Sequence, residues 1–434
     1  MSIIILGAGL SGLSLAYFLN KDSIILEKEE QIGGLCRSFE LNGIFHDIGP
    51  HIIFSKNRTN LKEIIALIKT NTIKRSNKIF HNGKLIKYPF ENDLATLNTD
   101  ERKYCLRKFL NNPYKNIKAK NMFQFFLKTF GEGITKLYLQ PYNEKMWKYD
   151  LTLIDTQMVE RIPRPPREDV IKSAKGIATE GYVHQLYFHY PNERGIQQII
   201  MAYKDLISGK SKIINPIKIK KIYKENGGWS VETDKGKFTC KRLINCMPLH
   251  ELFKYIEAPV RVKRALSKLK YNSIYIMALQ VKKDNMGQSF AIYFADKNII
   301  FHRLSNINFL GKNYCLDKNA STIMAEITYR SDGYFRVPGA KEIQQKTLDD
   351  LENLGIINKN NIISMDLKNF KYAYVIYDLG HRQNTNLVLR YLSEIGIECC
   401  GRFAEFEYLN MDQVVKHSKD LAKKLNRQKW HQYK

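Results

Sequence analysis

The chain has 434 residues, 44% of them hydrophobic and 12% aromatic, enough apolar material for a large core in two or three subdomains, and too much for a disordered or fibrous chain. Sixty-nine Lys and Arg against 43 Asp and Glu give a net charge of +26, which suits anionic ligands; the basic residues lack the interleaved stacking aromatics of a nucleic-acid module, so no nucleic-acid partner is expected. Seven cysteines without CxxC spacing fit reduced thiols better than a disulfide framework. With no charged-then-apolar leader and no run near the roughly 20 apolar residues of a bilayer span, the expectation is a cytoplasmic protein without an integral membrane segment.

The chain opens on an apolar run, Ile3-Ile4-Ile5-Leu6, followed by Gly7-Ala8-Gly9-Leu10-Ser11-Gly12. A buried strand that turns on Gly7, admits a phosphate at Gly9 and packs a helix at Gly12 is a dinucleotide-binding βαβ opening, with the helix N-terminus facing negative charge. Leu13 to Leu19 reads as that helix, and Ile24-Ile25-Leu26 as a second strand ending in Glu27, whose carboxylate can accept from a ribose. A second glycine pair follows in Gly33-Gly34-Leu35-Cys36-Arg37. From about 95 to 160 the pattern turns helical, until Arg161-Ile162-Pro163-Arg164-Pro165-Pro166-Arg167 is expected to end the block. Strands are expected at Lys212 to Tyr223, Gly228 to Thr233 and Arg242 to Cys246, then in a mostly β region at Ser273 to Val281, Ser289 to Phe294, Ile299 to Leu304 and Thr322 to Tyr329. A strand from Ile397 to Tyr408 and a helix from about Met411 to Leu425 complete the chain. No metal-ligand spacing is present, so no metal is expected.

The glycine pair at Gly33-Gly34 and the later Gly49-Pro50-His51 resemble flavoproteins of the amine-oxidase and glutathione-reductase-like superfamily. Further segments narrow the likeness: Tyr88-Pro89-Phe90; Pro141-Tyr142-Asn143-Glu144-Lys145-Met146-Trp147; Glu160-Arg161-Ile162-Pro163; Phe301-His302-Arg303; and Gly401-Arg402-Phe403 through Asn410-Met411-Asp412. In that order the chain resembles the UDP-galactopyranose mutases, departing from the bacterial pattern near 98–120 and 166–187 and at Asn143 and Asn410.

The resemblance implies an α/β fold: a discontinuous Rossmann-like FAD-binding domain from 1–90, 190–260 and 370–434, an inserted helical substrate subdomain at 91–189, and an antiparallel-sheet substrate subdomain at 261–369. It implies FAD, active when reduced by NAD(P)H or another donor, and an isomerase that interconverts pyranose and furanose forms of a nucleotide-diphosphate sugar through a flavin N5–sugar adduct. A homodimer is compatible with it. Gly7, Gly9, Gly12, Glu27, Gly34, Arg37, His51, Gly195, Arg402, Asn410, Met411 and Asp412 would then serve the cofactor, with Gly195 allowing close backbone approach. Tyr142, Asn143, Trp147, Arg161, Arg164, Arg303, Tyr374 and Tyr408 would serve the substrate, with Tyr377 a weaker candidate. His51, Arg303, Arg164 and Tyr408 would be catalytic; which of Arg161, Arg164 and Arg167 meets the diphosphate stays open. Two other readings share the fold: an FAD-dependent oxidoreductase of the amine-oxidase or protoporphyrinogen-oxidase type, and a binding protein of the GDP-dissociation-inhibitor type.

Overall fold

The computed structural model describes residues 3–159, 162, 164–180, 186–331 and 337–428. Strand β1 (Ile3–Leu6) is wholly buried, as a continuous apolar run must be when both faces of a parallel sheet are covered. It lies at the centre of a five-stranded sheet ordered Ile397–Cys399, Arg242–Asn245, β1, β2 (Ser23–Leu26), Ser211–Ile214. Every pairing in it is parallel, with Ile3 opposite both Arg242 and Ser23. Helix α1 (Leu10–Phe18) packs against the helices Met411–Arg427 and Gln197–Leu206. The approach to the first is close enough for Ser418 Oγ to donate to Ser11 O at 3.2 Å. Residues from both ends of the chain thus build one parallel-sheet layer.

A seven-stranded sheet forms the second layer, in the order Ile362–Ile376, Lys270–Val281, Ser321–Tyr329, Arg303–Asn306, Ala291–Phe294, Asn77–His81, Lys84–Lys87. Its pairings are antiparallel except where Asn77–His81 runs parallel to Ala291–Phe294. Successive side chains of Lys270–Val281 go to opposite faces: Tyr275, Met277 and Leu279 join Ile343 and Leu351 in one core, while Ile274 and Ile276 join Phe188, Tyr190 and Met324 in another. The sheet draws strands from beyond the expected 261–369, since Asn77–Lys87 and Ile362–Ile376 complete it. Hydrogen-bonded edges, not sequence continuity, set its extent.

The helical block comprises Thr99–Leu110, Met122–Ile134, a π-helical stretch Thr135–Leu139, and Gln140–Trp147. Asn98 and Asn121 cap the first two by accepting from Glu101 N and Gln124 N, each at 2.9 Å. The prolines open a helix rather than only closing one: Pro166 is the N-cap of Arg167–Ala174, a place where a fixed φ and a missing N–H cost little. Two expected strands are shorter than read. Pro216 separates Ser211–Ile214 from Ile219–Glu225, and the C-terminal strand stops at Cys399, after which residues 400–410 form the loop that carries Arg402 and Tyr408.

Candidate active site

A cavity of about 890 Å³ runs between the two layers. At one end, Gly7 turns the chain with φ +103°, and a Cβ at Gly12 would lie 2.0 Å from Gly7 O, so α1 can pack here only on glycine. Gly9 is different: its φ is −78°, and a Cβ there would meet no protein atom nearer than 3.9 Å. The protein's own packing does not require that glycine, whereas a ligand drawn close to the helix N-terminus would. No side chain caps α1, which leaves its first-turn N–H groups to the cavity. Glu27 is fixed at the end of β2, accepting from Ala8 N at 2.8 Å and Glu29 N at 2.9 Å. Gly33 donates from its N–H to Ala8 O at 2.9 Å and Gly34 takes φ +58°. Arg37, whose Nε donates to Gly34 O at 2.9 Å, completes this wall.

Along the middle, His51, Arg402, Asn410, Met411 and Asp412 line the cavity. Arg402 donates from Nη2 to Ala373 O at 2.8 Å and lies over the Tyr408 ring, 4.3 Å from its centroid. Asp412 Oδ2 accepts from Ser55 Oγ at 2.6 Å. His51 Nδ1, Arg402 Nε and Asp412 Oδ1 are buried polar atoms without partners. Desolvation lowers the His51 pKa to about 4, with the Arg402 charge next in effect and Arg303 also contributing, so its imidazole is neutral at pH 7. The glycine cradle, the fixed Glu27 carboxylate and these orphaned polar atoms on one continuous wall fit an FAD-sized dinucleotide.

The far end is aromatic and cationic. Arg303 lies on the strand Arg303–Asn306 opposite both Tyr293 and Glu326. Its guanidinium forms a bidentate pair with Glu326, with Nη2 to Oε2 at 2.6 Å and Nε to Oε1 closing the fork. Burial opposes charge on Arg303, yet Glu326 more than compensates and holds it well above its ordinary pKa. Tyr374, Tyr408 and Tyr293 share this wall. Tyr408 is set by its neighbour Tyr377, whose hydroxyl accepts from Tyr408 N at 2.8 Å; Tyr377 itself does not line the cavity.

Trp147, Asn143 and Tyr142 stand behind the lining instead of in it. Trp147 Nε1 donates to Asn143 Oδ1 at 3.1 Å, and its ring meets the edges of Tyr374 and Tyr408, each with centroids 5.9 Å apart. Tyr142 meets Tyr293 edge-on at 5.6 Å. All three back the tyrosines that face the cavity. Arg164 lines a separate depression with Lys118, Phe125 and Lys128, outside the main cavity, because the prolines beside it lead into the next helix. Arg161 lies outside the described residues. Gly195 permits a close approach of a different kind: with φ +71°, a Cβ on it would be 2.3 Å from Ser38 Oγ and 2.7 Å from Asp47 Oδ1, so it serves the buried Asp47 cluster and not the cavity wall. Glu326 and Arg75, which also lines the cavity, escaped the sequence reading. Glu326 had a signal, a lone charge in Ile323-Met324-Ala325-Glu326-Ile327; Arg75 sits among exposed lysines and had none.

Residues 5–66 match the family described as an NAD(P)-binding Rossmann-like domain. Over 98% of this chain and 93% of the other, the structure superposes on a reduced UDP-galactopyranose mutase with a TM-score of 0.87 at 21% identity. The chain has the fold of a UDP-galactopyranose mutase. In sequence it is 28% identical over 181 residues to the UDP-galactopyranose mutase of Mycoplasma genitalium, a stretch covering 37% of this chain and 43% of that protein. A putative protoporphyrinogen oxidase from Exiguobacterium sp. shares the architecture less closely, with a TM-score of 0.76 at 16% identity over 98% of both chains. The Rossmann-like match takes in the segment that builds the glycine cradle described above. Among the described residues, no group of three or more His, Cys, Asp and Glu could hold a metal, and no helix is long and apolar enough to cross a membrane.

Proposed function

We propose that this protein is a reduced-FAD-dependent isomerase that interconverts the pyranose and furanose forms of a nucleotide-diphosphate sugar, supplying furanose for surface glycans. The observation that carries the reading is the convergence of His51, Arg402, Arg303, Tyr374 and Tyr408 on one cavity that begins at the glycine cradle. When bound, reduced FAD supplies the nucleophile for the anomeric carbon. Arg303 meets the diphosphate, whose negative charge grows as it departs. Its planar group is oriented in advance by Glu326, so little reorganisation is needed as that charge develops. Tyr408 donates a phenolic hydrogen bond to the same group, and its backbone N–H is pinned by Tyr377. Neutral His51 carries one N–H and one lone pair, and so can both donate and accept near the reacting carbon. Trp147 and Tyr142 keep the tyrosine wall in place, and Asn143 engages the Trp147 indole.

The experiment is incubation of the photoreduced, FAD-loaded protein with UDP-galactopyranose and a panel of other nucleotide sugars, followed by chromatographic separation of pyranose and furanose products. Furanose formation supports the reading. Oxidation of substrate with no furanose supports the oxidoreductase reading, which the likeness to the protoporphyrinogen-oxidase fold keeps in view.

A further inference from the structure

One cation on the cavity wall has no part in the chemistry above. Arg75 precedes the strand Asn77–His81, and its guanidinium lies over the Phe54 ring, 5.6 Å from the centroid. Its Nε and Nη2 are shielded from water and have no hydrogen-bond partner, and Asn77 Oδ1 is likewise buried and unpartnered. Asn77 Nδ2 donates to the Tyr293 hydroxyl at 3.1 Å, while Tyr293 is the register partner of Arg303. The Arg75 charge also acts on Tyr88, whose ring centroid is 5.2 Å from that of Tyr293. Arg75 and Arg303 therefore flank Tyr293 on one wall.

Their surroundings differ in the respect that matters. Arg303 has Glu326 as a counter-charge, whereas Arg75 has a ring and no carboxylate among the described residues. A guanidinium cannot shed its proton in a protein, and a charge held in the wall without a counter-ion is costly. The Phe54 ring offsets part of that cost, and an anion in the cavity would meet the shielded Nε and Nη2. Resting on the nucleotide-sugar reading, in which Arg303 and Tyr408 meet the diphosphate, we infer that Arg75 and Asn77 form a second anion subsite at the sugar. The substrate is then a nucleoside diphosphate hexuronate, a nucleotide sugar whose ring carries a carboxylate. The planar guanidinium fork matches a carboxylate in bidentate fashion, and Asn77 Oδ1 accepts from the neighbouring sugar hydroxyl.

The test is equilibrium binding to the FAD-loaded protein, read by perturbation of the flavin absorbance. UDP-galacturonate is compared with UDP-galactose, GDP-mannuronate with GDP-mannose, and UDP and GDP are run alone. The expected result is tighter binding of the hexuronate than of its neutral counterpart by about tenfold or more, lost in Arg75→Met while affinity for the bare diphosphate is unchanged, and partly kept in Arg75→Lys. Asn77→Asp, which sets an internal carboxylate beside Arg75, should shift preference toward the neutral sugar, and serves as the second variant if Arg75→Met fails to fold. Equal binding of acidic and neutral sugars by the wild type would overturn the inference. So would an Arg75→Met variant that weakens the bare diphosphate equally, or one that alters flavin content or potential with the sugar preference intact. Failure of the wild type to bind UDP or GDP at all would remove the nucleotide-sugar reading, and the subsite with it.

Discussion

Replacing Arg303 by Met would leave Glu326, which is 0% exposed, without its counter-charge, while the Arg303 side chain it loses is 21% exposed. Breaking a buried pair by removing one partner costs about 3–5 kcal/mol, and the partial exposure of Arg303 places the expected loss near the lower bound, about 3 kcal/mol. The double variant Arg303→Met/Glu326→Gln removes the stranded charge and should recover about 2 kcal/mol of it. Urea unfolding of FAD-loaded variants at pH 7 measures both, with Kd for the nucleoside diphosphate measured in parallel. Both variants should bind the diphosphate poorly, and Arg303→Ala should lower kcat/KM by about 10²-fold or more with FAD still bound. An Arg303→Met protein as stable as wild type, or a double variant no more stable than the single, would contradict a buried Arg303–Glu326 pair.

Gly12→Ala should yield a protein without FAD by heat-released cofactor assay, because the new Cβ would be 2.0 Å from Gly7 O; a yellow, fully loaded variant would contradict the helix–strand packing described. Gly195→Ala should destabilise by about 2 kcal/mol or more in urea unfolding, since φ is +71° and Ser38 Oγ and Asp47 Oδ1 occupy the space, yet it should leave sugar preference unchanged. Burial first, then nearby Arg402 for His51 and Lys371 for His250, hold both histidines down to about 4 from an ordinary 6.5. Between those values the unfolded chain binds more protons, so the stability these groups contribute is complete above pH 6.5 and is lost as pH falls through about 4. Thermal midpoints measured from pH 7 to 5 should therefore fall less steeply in His250→Asn than in wild type; an identical slope would refute the assignment.

Local pattern carried the glycine-lined end of the cavity. Gly7, Gly12 and Glu27 belong to one strand–helix–strand unit at the start of the chain, so their spacing is itself the geometry. The aromatic and cationic end is assembled by strand register: Arg303 meets Glu326 and Tyr293 across two different strand pairs, and no linear spacing encodes that. Arg75 reaches the cavity because Asn77–His81 adds to a sheet made mainly of residues 270–376, a pairing that an even division of the chain into domains hides. Gly195 shows the converse. Close approach was expected at this glycine on the side of the cofactor, but the groups that approach it, Ser38 and Asp47, are set by the tertiary fold.

Counting electrons against product separates isomerisation from net oxidation. The FAD-loaded protein is reduced once with dithionite under anaerobic conditions, given excess nucleotide sugar, and followed by flavin absorbance while pyranose and furanose forms are quantified. An isomerase carries out many turnovers per flavin, returns the flavin reduced, and shows no activity when the flavin is oxidised. Product limited to one per reduced flavin, or turnover by the oxidised flavin with oxygen consumed, would contradict it.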